Sequence, residues 1–407
     1  MDWQTPEDSF PSAFVTDQNA RELVGKPPAT GGWREGDPPG RRRFANLGAF
    51  EFERGGSLPN LRVAYETFGT LREDRSNAIL VSHALTGDSH IAGPAEPGHP
   101  TAGWWGDVVG PGLALDTDEW FVVVPNMLGG CQGTSGPVSY APDGREWGAR
   151  FPFTTIRDQV AAQLALADHL GIERWALVVG GSMGGMQAIE WGVTHPERVE
   201  RLAVLASPAI TTADQIAHNA LQIEAIRADP AFNGGDYYEA ADGEGPHRGL
   251  ALARRFALLD YRAPRELNER FDRSWQSTRS PLGEGGRFAV ESYLDFQGNK
   301  FPRRFDANSY ITVARAMSSH DVGRDRGGVE AALSRVTMPT LVLAIDSDRL
   351  FPVADQERIA AGVPGNIDGD RPYLVVSEFG HDAFLIESDV VGAQLRRLLA
   401  VVPARAE

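Results

Sequence analysis

Six short apolar runs recur along the chain, at 78–82 (AILVS), 120–125 (WFVVVP), 176–179 (ALVV), 202–205 (LAVL), 340–345 (TLVLAI) and 373–376 (YLVV). None alternates apolar with polar residues, which is the pattern of strands buried on both faces in a parallel sheet. Upstream, 50–53 (FEFE) does alternate, and 61–68 reads as a further strand. Between the runs, 156–170 (IRDQVAAQLALADHL) and 186–195 have helical spacing, and such strand–helix alternation predicts a doubly wound α/β core. The stretch 211–335 interrupts it with helical, arginine- and aromatic-rich sequence before the last strands return. It therefore reads as a helical lid inserted into a core of 44–210 and 336–400. Residues 1–43 are rich in Pro, Gly and charge and read as a mobile arm. Its end, Arg41-Arg42-Arg43, reads as a solvated linker rather than a phosphate patch. No internal repeat is visible.

Composition narrows the class. Apolar residues make up 42% and charged residues 23% of the 407, ordinary for a globular protein. Acidic residues number 55 against 39 basic ones, a formal charge of −16 that disfavours nucleic acid and anionic membrane as partners. Cys131 is the only cysteine, which excludes an internal disulfide or a cysteine-based zinc site and fits a reducing cytoplasm. The N-terminus lacks a basic-then-apolar leader, and no run approaches about 18 apolar residues, so neither a signal peptide nor a membrane span is expected. No metal site is expected.

Gly180-Gly181-Ser182-Met183-Gly184 matches G-x-S-x-G. The match gains weight from its context, a buried strand running in and a helix running out, as a nucleophile elbow requires. The alternative, a nucleotide-binding turn, lacks both the G-x-G-x-x-G spacing and a Walker lysine.

A serine nucleophile needs a base held by an acid, in the chain order Ser, Asp or Glu, His. Of the histidines after Ser182 (195, 218, 247, 320 and 381), only His381 directly follows a core strand. His195 reads as a helix end before Pro196, His320 lies in the insertion, and His83 precedes the serine. For the acid, Asp346 and Asp348 both follow the strand at 340–345; Asp348 reaches further into the loop and is preferred, with Asp346 left to cap the turn. The tetrahedral oxyanion of acyl transfer needs two backbone donors. Met183, after the nucleophile, is one; Leu85, in the loop SHALTGD after an early strand, is the candidate for the other. The glycine-dense loop 126–137 after another strand either wraps a ligand or is a turn, and Cys131 within it has no flanking catalytic motif.

HALTGDSH, TAGWWGDVVGPG, NMLGGCQGTSGP, RFPFTTIRDQV, GGSMGGMQAIEW, SDRLFP and GHDAFL, in register from Phe50 to Val391, resemble the homoserine O-acetyltransferase family. The resemblance implies an α/β-hydrolase fold with a mostly parallel sheet and a helical lid, a homodimer formed through that lid, and a cytoplasmic enzyme of methionine biosynthesis. It implies acetyl transfer from acetyl-CoA, as co-substrate rather than bound cofactor, to L-homoserine. It assigns the triad to Ser182, Asp348 and His381, and acceptor binding to Arg254, Tyr261 and Asp382. Arg254 would hold the carboxylate and Asp382 the ammonium; on spacing alone Arg254 is only a lid surface charge. Lys300, Arg303 and Arg304 are candidate donors to the CoA phosphates. The remaining readings are a succinyl-CoA or L-serine variant of this chemistry, a simple esterase, or an inactive binding protein on the same fold.

Overall fold

The computed structural model describes residues 23–402. Eight strands form the central sheet: β1 (Arg43–Asn46), β2 (Arg62–Phe68), β3 (Ala78–Ser82), β4 (Phe121–Pro125), β5 (Leu177–Gly181), β6 (Leu202–Leu205), β7 (Thr340–Ile345) and β8 (Tyr373–Val375). Their order is β1-β2-β4-β3-β5-β6-β7-β8, antiparallel at β1–β2 and β2–β4 and parallel from β4 onward. The sheet is thus mostly parallel, as the unalternating runs require.

Because strand side chains alternate between faces, each run feeds two cores. Leu80, Val178, Val204 and Val342 face one side, under α1 (Ile156–Leu170) and α2 (Met183–Thr194). Ile79, Val179, Leu205 and Leu343 face the other, under the C-terminal helix Ser388–Leu399. Helix α1 starts where Thr155 and Asp158 form a reciprocal capping box and stops at Gly171 in the left-handed region (φ 67°).

Between β6 and β7 the chain leaves the sheet for helices that include α3 (Ala213–Arg227), α4 (His247–Tyr261), α5 (Pro264–Phe271), α6 (Ala289–Lys300) and α7 (Ala307–Ser318). They build a third apolar cluster, and Leu85, Met183 and Met186 from the sheet side join it. That shared cluster puts the inserted helices over the carboxyl ends of β3 and β5.

Several details differ from expectation. The pairing at 50–53 is confined to Phe50–Glu51, in a small ribbon with Ser57–Leu58. Strand β5 carries on through Gly180 and Gly181, and α2 begins at Met183 rather than 186. Strand β8 is the sheet edge, which leaves Leu374 exposed. Residues 1–22 of the expected arm lie outside the described residues. Part of the remainder packs inward: Thr30 Oγ1 donates to Asp306 at 2.9 Å, and the Trp33 N–H to the Cys131 carbonyl at 2.8 Å. Arg42 is buried, bonded to Gln132 and the Gly98 carbonyl, while Arg41 and Arg43 on either side of it stay exposed and Arg41 pairs with Glu96 at the surface.

Candidate active site

Strand β5 ends in a turn that only a few sequences tolerate. Ser182 sits at φ 58°, ψ −127°, outside the regions a serine ordinarily adopts. The turn closes because glycines flank it. A Cβ on Gly180 would lie 2.1 Å from the Gly184 carbonyl oxygen, and one on Gly184 would lie 2.0 Å from that of Ser82. The first turn of α2 therefore rests directly on the backbone of β5 and on the end of β3. The Ser182 N–H donates to the Leu205 carbonyl at 3.0 Å, so the elbow is tied to β6 as well. Beneath it lies a buried polar chain: Trp191 Nε1 donates to Gln163 Oε1 (2.7 Å), while Gln163 Nε2 donates to Gln187 and to Ser82 Oγ. This chain locks α1, α2 and β3 together.

After β7, Asp348 accepts the N–H groups of Leu350 and Phe351 on Oδ1, each at 2.9 Å, and turns Oδ2 to His381 Nδ1 at 2.6 Å. Asp346, its rival in the sequence, instead accepts the Ser377 N–H at 3.0 Å and braces the turn. His381 follows β8 and is buried among Phe351, Phe384 and Tyr261. Phe384 fills the space where a Gly181 side chain would stand, so one ring packs against both the elbow and the imidazole. Burial alone would depress the His381 pKa, but the Asp348 carboxylate outweighs it and holds the imidazole above its ordinary value. His381 Nε2 is buried with no hydrogen-bond partner among the described residues. It is the nitrogen left to act on a hydroxyl, and such bonds tighten when substrate fills a site. His320, in the insertion, is buried against the Pro208 carbonyl with its pKa pushed down to about 4, unsuited to a base at neutral pH. Burial likewise pushes the Cys131 thiol up, away from nucleophilic use.

The N–H groups of Leu85 and Met183 donate to no protein acceptor among the described residues. Both residues are buried in the cluster beneath the inserted helices. Next to this pair stands a charged group. The Arg254 guanidinium lies over the rings of Tyr261 (5.5 Å) and Phe301 (5.1 Å) and reaches Thr86 Oγ1 at 3.4 Å. Burial raises the Asp382 carboxyl, and the charges of Arg262, His381 and Arg254 pull it back. Sequence reasoning missed Arg262, whose Nε lies 3.4 Å from Asp382 and which also faces Glu266. It missed Arg304 as a structural residue too: that guanidinium is half-buried and donates to the Thr86 carbonyl at 2.9 Å. Arg303 is occupied by the carbonyls of Leu23, Val24 and Gly25.

Glu66, His90 and His99 bring ligand-type atoms within 4.8 Å of one another. Their two imidazoles are stacked 3.9 Å apart at 12°, so lone pairs lying in the ring planes do not converge on one point. The cluster suits hydrogen bonding instead. Glu66 accepts from Ser89 Oγ (2.8 Å) and meets His90 Nδ1 (3.2 Å), and His99 Nε2 accepts the Arg41 N–H (2.9 Å).

A mostly parallel sheet with a strained serine between strand and helix, and an Asp–His pair on later loops, defines an α/β hydrolase. The family described as alpha/beta hydrolase fold matches residues 77–388. A homoserine O-acetyltransferase from Leifsonia xyli subsp. xyli is 68% identical over 401 residues, covering 98% of this chain and 100% of that one. Among solved structures, a homoserine O-acetyltransferase from Bacillus anthracis superposes with a TM-score of 0.79 at 27% identity, over 90% of this chain and 99% of that one. Esterase E22 matches with the same TM-score, 0.79, and 27% identity over 88% and 99%. The chain belongs to the homoserine O-acetyltransferase family of α/β hydrolases.

Proposed function

We propose that this protein transfers the acetyl group of acetyl-CoA to the hydroxyl of L-homoserine through an acetyl-serine intermediate, as a step of methionine biosynthesis. In this reading His381 Nε2 takes the Ser182 proton as the serine oxygen attacks the thioester carbon. The Leu85 and Met183 amides hold the oxyanion. The carbon–sulfur bond breaks, His381 returns the proton to sulfur, and CoA leaves as the thiol. Homoserine then enters, His381 removes its hydroxyl proton, and the oxygen takes the acetyl group while Ser182 recovers its proton. Asp348 holds the imidazole tautomer and stabilises the imidazolium.

The observation that carries the choice of acceptor is a pair of opposite charges beside the base. Arg254, stacked on Tyr261, presents a planar fork to a carboxylate. Asp382 follows His381 in sequence and offers an anion to an ammonium. A zwitterionic amino acid uses both; water uses neither. The inserted helices at 211–335 serve as a lid that excludes water from the acetyl-enzyme and orients the acceptor. The 68% identical relative supports acetyl over succinyl and homoserine over serine. The likeness to esterase E22 supports a second reading, hydrolysis on the same scaffold.

One experiment separates these readings. Purified protein is given acetyl-CoA or succinyl-CoA, with homoserine, serine or no acceptor, and free thiol is followed. Release that requires acetyl-CoA and homoserine together is the expected result. Release independent of acceptor identifies a hydrolase, and failure of Ser182 to take up acetyl label identifies a binding protein.

Two further features belong to this reading. Leu252, Phe256 and Leu259 share one exposed face of α4, with Ile216 and Leu221 exposed on the neighbouring α3, which supports a homodimer formed through the lid. Among the described residues no helix is long and apolar enough to cross a membrane. We place the enzyme in the cytoplasm, where the lone thiol of Cys131 stays reduced.

A further inference from the structure

We propose that His83 is a positioning residue that aims the Leu85 N–H at the oxyanion, by gripping the carbonyl on the opposite edge of the same peptide group. The inference rests on the acyl-serine chemistry above. His83 lies in the loop after β3 and is buried. Its Nε2 receives the Met127 N–H at 3.1 Å. A backbone N–H can only donate, so Nε2 carries the lone pair and, in a neutral ring, Nδ1 carries the hydrogen. That hydrogen faces the Ala84 carbonyl oxygen at 2.8 Å. Burial lowers the His83 pKa and keeps the ring in this neutral form.

Ala84 C=O and Leu85 N–H belong to one planar peptide unit. No described peptide bond is cis, so the two groups point in opposite directions. Fixing one fixes the other. The Ala84 oxygen also accepts the Gly87 N–H at 2.9 Å, and Gly87 leaves room for the ring: a Cβ there would stand 3.0 Å from His83 Cβ. The next carbonyl but one, that of Thr86, is held by Arg304 at 2.9 Å. The Leu85 amide, unused by the protein, is thus clamped on its carbonyl edge and left free to donate. Preorganised donors of this kind act because they need no reorganisation when charge develops.

Two substitutions divide the histidine into its halves. In His83→Asn the side-chain amide nitrogen takes the place of Nδ1 and still donates to Ala84, while the acceptor for Met127 is lost. In His83→Gln the amide oxygen takes the place of Nε2 and still accepts from Met127, while the grip on Ala84 is lost. The readout is the acylation of Ser182 by p-nitrophenyl acetate in the full-length protein, which reports oxyanion stabilisation whatever the natural acceptor. His83→Gln should slow the maximal acylation burst about 10–100-fold while the ester concentration that half-saturates the burst stays unchanged, because the oxyanion exists only in the transition state. His83→Asn should stay within about threefold of the wild type. Equal losses in both variants, no loss in His83→Gln, or a loss confined to the ester concentration that half-saturates the burst overturns the proposal. Nitrogen-15 NMR of the unaltered protein gives a test that needs no variant to fold: a protonated Nδ1 and unprotonated Nε2 at His83 are expected, and the opposite tautomer overturns the assignment. A failed homoserine reading shows up elsewhere, as thiol release from acetyl-CoA that ignores homoserine while p-nitrophenyl acetate still acylates Ser182.

Discussion

At the scale of single residues, the site is governed by one short bond between two buried side chains. Asp348 raises the His381 pKa against the effect of burial. In the proposed mechanism His381 is the base and works only when neutral, so kcat/KM should fall as pH drops through a value above about 6.5. Asp348→Asn removes the raising charge and leaves burial, so the acid limb of the pH–rate profile should move to lower pH. The plateau kcat should fall about 10⁴-fold, as expected when the imidazole loses its orienting carboxylate. The same pair has a stability signature. A folded pKa held above the unfolded one stabilises the protein below about pH 6.5, and this contribution is lost as pH rises through the folded value. Denaturant midpoints of wild type and Asp348→Asn across this window measure it; midpoints that run parallel refute the coupling. Ser182→Ala should abolish acetyl-enzyme in a radiolabel or mass-spectrometric assay. Arg254→Ala should raise KM for homoserine about 10–100-fold with little change in acylation, reflecting a lost charge-assisted fork. Unaltered homoserine kinetics in that variant would remove Arg254 from the acceptor site.

At the scale of elements, the elbow depends on what lies under it. Gln163 satisfies the Trp191 indole and also contacts Gln187 and Ser82. Gln163→Leu strands these groups and should cost about 1–3 kcal/mol in urea unfolding. Gly184→Ala drives a methyl into the Ser82 carbonyl, where only backbone can yield, and should cost about 3 kcal/mol or prevent folding. This is also the scale at which the sequence was most legible. Strands β3, β6 and β7 were readable to the residue because burial on both faces removes polar positions from them. The elbow was readable because strand, strained serine and glycines are contiguous. The pairing of Asp348 with His381 was readable because an acid and then a histidine follow the last two core strands in the order expected of this fold. Arg262 and His83 were not: Arg262 meets Asp382 across 120 positions, and His83 acts on its own neighbour through a geometry that no spacing encodes. The packing of residues 23–42 was hidden because extended chain rich in Pro and Gly looks alike whether it is loose or laid against a partner surface.

At the scale of the whole molecule, the proposed function gives the inserted helices two jobs, and only one is turned inward. Helix α4 carries Arg254 and Tyr261 on the side that faces the His381 ring. Its outer face carries Leu252, Phe256 and Leu259, spaced four and three residues apart and therefore on one stripe, at 43%, 40% and 38% exposure. A chain with a formal charge of −16 gains solubility from charge at such a surface, so an apolar stripe there is a cost unless a second copy covers it. Phe256→Glu places a charge at its centre without touching the inner face. The variant should run as a monomer in light scattering at concentrations where the wild type is a dimer, since a carboxylate buried without a partner costs several kcal/mol. Because α4 also positions Arg254, the monomer should show a raised KM for homoserine while Ser182 still acylates at the wild-type rate. A variant that remains dimeric moves the interface elsewhere, and a monomer with unchanged homoserine kinetics separates assembly from the geometry of the acceptor site.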